Sequence, residues 1–414
     1  MQIKKTVLLS WLTFCWLFCF AQVTPEKLFI DPGNALGGSA SGMFSAVQYI
    51  PLETNKESFF GQIDQLVVTP EYFIVLDRST DAILFFKKDG SFHHKMAKLR
   101  FDKHFATSAG SRGGDIASFK VTSGKKELQV ISIFENQVVY LFNFDGQRTG
   151  KQVMPENTSD YFLLPDSTVI YQQRRPYDTA KLKGLRPYDI SLVRPLDSMQ
   201  YILPYDFKYA ALYGEIGVNP TPFEPGSQED RCFYIPCSDY NIYELDRNGI
   251  TKQYRMIFPM PISLPVNFMN DSMYAGKRKA FIKDKDYITQ IVSFSKLGNY
   301  LIFELKSWTG KSGTSYPLLY SLKTKRSFLL DHIGADTLSA YLPVSIDYPN
   351  FFLRILTTDA DSYYSSFSSV KFINEKESGP SHGMSYNDTL KKYFATQNRK
   401  SNPVIVKLTP KDNL

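Results

Sequence analysis

Apolar and polar positions alternate along Ala82 to Gly90, read A-I-L-F-F-K-K-D-G, and the alternation runs into an Asp-Gly pair. A period of two places successive side chains on opposite faces of a strand, and a glycine after Asp takes the positive φ that a tight hairpin requires. The pattern returns at Val138 to Gly146, Asp189 to Asp197 and Asn241 to Gly249, with weaker copies at Leu318 to Arg326 and Val404 to Asp412. Counted on the second residue of each copy (Ile83, Val139, Ile190, Ile242, Leu319, Ile405), the successive offsets are 56, 51, 52, 77 and 86. A self-similar unit of this size marks a repeat architecture. Around the first copy, Ile63 to Val68, Tyr72 to Asp77, Ala82 to Phe86 and Ser91 to Lys95 read as four strands joined by short turns. Four antiparallel strands per unit, stacked radially, make the blade of a propeller.

The remaining chain extends this plan. Val47 to Leu52 alternates like a strand and stands ahead of the first full repeat, as a strand that closes a ring would. The reading is therefore all-β: a six-bladed β-propeller of four-stranded antiparallel blades over residues 46–414, its ring closed by an N-terminal strand. Residues 22–45, rich in Gly, Ser and Ala, read as a loose lead-in. Five stretches interrupt the blades: a Gly-containing connection at Ala106 to Ala117, a basic insert at Gln172 to Pro187, a Pro-rich surface excursion at Pro259 to Lys285, a Gly- and Ser-rich loop at Ser307 to Ser315, and a polar section at Asp359 to Ser401. The last has a cap at Asn387 or Asp388 and a Leu390, Tyr393, Phe394 spacing that predicts one short helix.

Composition supports the β reading, with 15% aromatic residues, among them 32 Phe and 26 Tyr, which suit pleated, half-buried surfaces. Residues 1–21 read as a signal peptide: Lys4 and Lys5 precede an uncharged apolar run from Thr6 to Phe20, too short for a membrane span, and Cys19-Phe20-Ala21 fits a cleavage site. Cys15 and Cys19 each follow a Phe rather than the small residue of a lipoprotein signal, which argues against a lipid anchor. No later stretch reads as a membrane span, and the location expected is the periplasm or the outer-membrane or extracellular side. With Lys4 and Lys5 gone the formal charge falls from +7 to +5 and is scattered, which excludes a nucleic-acid footprint. Cys232 and Cys237 remain. Five residues apart on a strand they point to opposite faces on the order of 16 Å apart, so a disulfide would need a sharp bend at Pro236.

Candidate chemistry lies in the interruptions. Arg112 and Asp115 flank Gly113-Gly114 and can face a ligand or simply join two blades. The basic insert holds Arg174, Arg175 and Tyr177 and repeats R-P-Y-D, as an arm gripping an anionic partner or as a solvated hairpin. Trp308 stands at the root of its loop, placed to stack on a ligand or to pack between blades. No catalytic or metal-binding residues and no cofactor are assigned. His93 and His94, adjacent on a strand, are expected on opposite faces. Asp77, Asp81 and Asp239 could meet over a central channel as a calcium site, although Asp at strand ends is ordinary turn chemistry.

Three stretches, Y-I-P-L-E-T at Tyr49 to Thr54, S-D-Y-N-I-Y-E-L-D at Ser238 to Asp246 and S-N-P-V-I-V-K-L at Ser401 to Leu408, resemble the exported six-bladed β-propeller proteins of Bacteroidota, which are similar to NHL-repeat propellers. Relatives often carry a G-x-G-P-G-E-Y loop after blade one, of which Arg112-Gly113-Gly114-Asp115 keeps only part. The resemblance implies a fold and an exported protein, and no particular activity. Residues and resemblance together point to a non-catalytic, monomeric binding module of the cell envelope, its partner an envelope protein or a glycan or peptide ligand. The alternative is a calcium-dependent lactonase- or lyase-like propeller enzyme.

Overall fold

The computed structural model describes residues 23–102, 115–122, 126–133, 135, 137–155, 158–173, 188–195, 199–204, 222–236, 240–268, 271–283, 285–308, 313–345, 357–379 and 385–414. Six blades of four antiparallel strands follow one another around a ring, two of them carrying a fifth, parallel strand at the outer edge. Blade one consists of Gln65–Val68, Tyr72–Asp77, Ala82–Lys87 and Phe92–Ala97. First strands of consecutive blades lie against each other, as in blades one and two, three and four, four and five, and six and one, so the first strands line the axis. Every copy of the sequence template forms the third strand of its blade: Ala82–Lys87, Val138–Asn143, Tyr188–Val193, Asn241–Asp246, Gly313–Ser321 and Val404–Pro410.

The third strand is legible because both of its faces are covered. In blade one, Ile83 and Phe85 pack with Phe119, Leu128 and Tyr140 of blade two, while Leu84 and Phe86 pack with Ile50, Tyr364 and Ile405 of blade six. All four side chains are fully buried, each contributing about 1.5–3 kcal/mol relative to exposure. Such a strand needs apolar residues at consecutive positions, which explains A-I-L-F-F. The same arrangement recurs around the ring, with six apolar clusters filling the six interfaces between consecutive blades.

Phe44–Pro51 pairs antiparallel with Val404–Pro410 and supplies the outermost strand of blade six, so an N-terminal strand closes the ring. Gly90 turns the chain at φ +87°, and Gly146 and Gly249 do so in blades two and four at +82° and +122°.

Several expectations need correction. Residues 26–29 and 36–39 do not form a loose lead-in: Glu26–Phe29 adds in parallel to the outer strand of blade four and Leu36–Ser39 to that of blade five. Leu28 and Ile30 are buried against Tyr254 and Met256, so the segment straps blades four, five and six from outside and covers edges that would otherwise present unpaired backbone groups. The loop at Ser307 to Ser315 is narrower than expected, since Ser307↔Thr314 and Trp308↔Gly313 still pair. The excursion at Pro259 to Lys285 is no bare surface loop: Leu264, Phe268 and Ile282 bury together around the short helix Arg278–Ile282. The polar section after Asp359 holds a strand, Tyr363–Phe367, and two helices, Ser369–Ser378 and Asp388–Thr396, the latter capped by Asn387. Their Phe372, Ile373, Leu390 and Tyr393 pack on Tyr49 and cover the strand that closes the ring. No helix among the described residues is long and apolar enough to cross a membrane.

Candidate functional site

Strand direction sorts the connections into two ends. The turns from first to second strand in every blade, and from third to fourth strand in blades one to five, span six residues at most, for example 69–71, 226–231 and 298–299. The strand ends on the opposite side flank the segments 98–115, 174–187, 205–222, 258–287, 335–356 and 368–403, each of 14 to 36 residues. All the long insertions are thus rooted at one end of the propeller, where a rigid scaffold holds variable loops.

The candidate residues divide around that end. Asp115 precedes the first strand of blade two, half-buried, and its carbonyl accepts from Ile133 N–H at 2.9 Å. Trp308 is the last residue of the second strand of blade five. Both roots belong to the long-loop end, but blades two and five stand three apart in a ring of six, so they are not brought together. Arg112, Arg174, Arg175 and Tyr177 lie outside the described residues, as do Asp239 and Cys237. Cys232 is a free, buried thiol whose burial pushes its pKa far above the usual thiol range.

Two of the acids at this end, Asp77 and Asp81, are engaged by backbone and hydroxyl donors. Fully buried Asp77 accepts from the backbone and hydroxyl of Ser79 at 3.1 and 2.6 Å and from the Thr80 hydroxyl at 2.7 Å. Asp81 accepts from Ile116 N–H at 3.0 Å and so fastens the loop of blade one to the first strand of blade two. Among the described residues no three His, Cys, Asp or Glu side chains converge as metal ligands would.

The histidine pair departs from its expected geometry. Pairing of Phe85 with His94 and of Phe86 with Phe92 leaves His93 as an extra residue, a β-bulge that breaks the alternation. The two rings therefore lie 4.9 Å apart at 83°, with His93 stacked on Tyr72 and His94 on Phe85. Nε2 of His94 bonds the Phe144 carbonyl in the turn of blade two, and burial lowers its pKa below the ordinary histidine value.

Along the axis the first strands are stitched by polar side chains. The Gln65 amide donates to the Phe119 carbonyl at 2.6 Å and accepts from the Phe119 N–H at 3.1 Å, joining blades one and two. Lys120 reaches the carboxylate of Asp160 at 3.4 Å and lies 4.4 Å over the Tyr161 ring, joining blades two and three. Where first strands crowd together, these groups replace water as backbone partners. At the short-turn end, a cavity of about 710 Å³ opens between blades five and six beside Tyr300, Asp361 and the C-terminal residues. The Tyr300 hydroxyl donates to the Lys411 carbonyl and accepts from Leu414 N–H at 3.1 Å, which fixes the chain end as one wall.

Likeness to one solved structure agrees with this fold. A protein of Bacteroides fragilis NCTC 9343 described as an exported one is similar at a TM-score of 0.66 and 15% identity, covering 94% of this chain and 100% of that one. A DUF4221 member from Bacteroides vulgatus ATCC 8482 is similar at a TM-score of 0.46 and 9% identity, covering 89% of this chain and 97% of its own. No curated protein matches the sequence. The family model described as Domain of unknown function (DUF4934) matches residues 33–409, and the chain belongs to that family.

Proposed function

We propose that this propeller is a non-catalytic binding module, exported by the signal peptide at residues 1–21 and working in the periplasm or at the outer membrane. Its ligand is an envelope protein, a glycan or a peptide, received at the long-loop end. One observation carries the reading: all insertions of 14 residues or more are rooted at the same end of an otherwise regular ring. A catalytic propeller needs converging side chains, whereas Asp77 is engaged by its own turn and Asp81 by the backbone of blade two. Export is supported by the Lys4-Lys5 apolar segment and by the likeness to an exported Bacteroides protein. Arg174, Arg175 and Tyr177 of the basic insert, together with Arg112, Asp115 and Trp308, are the contacts proposed, although Asp115 and Trp308 are rooted three blades apart.

Crosslinking pull-down from native cell envelope tests this. The wild-type chain is expected to capture a defined partner that Arg174→Glu/Arg175→Glu loses, at an unchanged denaturation midpoint. An identical partner list for both chains would remove the arm from the proposal.

A further inference from the structure

The lobe between blades four and five has two unlike sides. Its inner side is built as a core: Leu264, Phe268 and Ile282 are buried, and the fully buried Arg278 guanidinium donates to the carbonyls of Phe268 at 3.1 Å and Asp271 at 2.9 Å. Tyr240 ties the lobe to the blades, accepting from Leu264 N–H at 2.8 Å and donating to the Ile288 carbonyl at 2.7 Å. The lobe is thus a fixed projection of the long-loop end. Outwardly it exposes Met260 (89%), Val266 (85%) and Met273 (62%), the first two being the most exposed large apolar side chains among the described residues. Burial in water-excluding surroundings is favourable for such groups, so projecting them has a cost unless something receives them.

The charges on the same lobe say what receives them. Lys277, Lys279, Lys283 and Lys285 are exposed, whereas of the described acids of the lobe Asp286 is exposed and Asp271 is half-buried, capping a short helix by accepting from Met273 N–H at 2.9 Å. Projecting apolar side chains and an excess of exposed lysines on the same lobe match the two layers of an anionic lipid surface, hydrocarbon boundary and negative headgroups. We propose that this lobe inserts Met260, Val266 and Met273 into an anionic membrane surface and holds it through Lys277, Lys279 and Lys283. The long-loop end then faces the membrane. This is independent of which soluble ligand the basic insert takes.

Vesicle flotation of the mature chain tests it. The chain is expected to partition onto vesicles of phosphatidylglycerol and phosphatidylcholine, weakly onto phosphatidylcholine alone, and less as salt rises. Each lysine beside an anionic surface contributes roughly a fivefold gain in partitioning. Lys277→Gln/Lys279→Gln/Lys283→Gln should therefore lose at least tenfold, and so should Met260→Ser/Val266→Ser/Met273→Ser. Lys87→Gln/Lys323→Gln at the short-turn end should lose nothing, and all variants should keep the wild-type denaturation midpoint. Absence of partitioning at low salt would overturn the proposal. So would undiminished partitioning of the serine variant, or capture of an acidic peptide by the lobe in place of vesicles. Because partitioning is read directly, its failure leaves the pull-down with Arg174 and Arg175 variants untouched.

Discussion

Replacement of Asn402 by alanine should cost more than any other single polar-to-alanine change at the ring closure. The side chain is fully buried and makes three hydrogen bonds, each to backbone: it accepts from Phe60 N–H at 3.0 Å and donates to the carbonyls of Glu53 at 2.7 Å and Ser58 at 2.9 Å. The Glu53 carbonyl keeps a second donor, the Ser58 hydroxyl at 2.8 Å, so truncation orphans chiefly the Phe60 N–H and the Ser58 carbonyl. At about 1–3 kcal/mol for each buried unsatisfied group, and with a small void added, Asn402→Ala should lose about 3–5 kcal/mol. Asn402→Asp keeps the acceptor but turns a carboxylate towards two carbonyls. Its loss should be at least as large at neutral pH and shrink in acid, where the protonated group donates again. Urea denaturation followed by tryptophan fluorescence measures both. A loss below about 1 kcal/mol for Asn402→Ala at unchanged denaturant slope would refute the assignment of Asn402 as the link between the two ends of the chain.

Three further outcomes follow from packing and charge. A Cβ at Gly90 would stand 2.2 Å from the Pro51 carbonyl, whereas at Gly146 it meets only the flexible Met96 side chain at 3.4 Å. Both alanine variants bear the positive-φ cost of about 1–2 kcal/mol, and Gly90→Ala should lose at least about 1 kcal/mol more in the same denaturation assay. Leu28→Ala should lose about 2–5 kcal/mol and Phe29→Ala, at 66% exposure, less than about 0.5, since only Leu28 is buried by the strap; equal small losses would return the segment to a loose lead-in. For His94 the folded state holds the proton less tightly than the unfolded chain, because burial opposes its charge, with His93 adding repulsion and Asp145 partly offsetting it. The stability linked to it is complete above the unfolded value of about 6.5 and is lost as pH falls towards the lower folded value. His94→Gln, which keeps a donor for the Phe144 carbonyl, should flatten the fall in denaturation midpoint between pH 7 and pH 5, and an unchanged slope would count against burial as the cause.

What could be read in advance, and what could not, follows from how each element is held. Third strands were legible because blades cover both of their faces, which forces apolar residues at consecutive positions, as at Ile83 to Phe86. Glu26–Phe29 was not, because it is held by backbone pairing with one buried side chain, Leu28, and such pairing leaves no periodic mark. The helix Ser369–Ser378 escaped for a similar reason, burying only Phe372 and Ile373 among its large apolar side chains in an otherwise polar stretch. The histidine bulge is a property of register, decided between two strands rather than within one. At the candidate site, the position and length of the insertions were legible, but their common end emerged only once strand order was known.

The two framework stretches at the chain ends show how far a motif reaches without its cause. Y-I-P-L-E-T and S-N-P-V-I-V-K-L stood out in the sequence as separate strings 352 residues apart, counted from Tyr49 to Ser401. In the fold they are one object: Val404 pairs with Pro51, Ile405 with Ile50 and Val406 with Tyr49. Beyond the last pair, the Thr54 hydroxyl accepts from Asn402 N–H at 2.9 Å, and the Asn402 amide returns to the Glu53 carbonyl. Thr54 and Asn402 therefore constrain each other across the closure, while the alternating residues between them need only be apolar and of suitable size. Closure by strand pairing alone could slip by two residues and keep its apolar face inward. The buried polar contacts of Asn402 penalise such a slip, so register specificity, rather than strength of pairing, is what this asparagine adds.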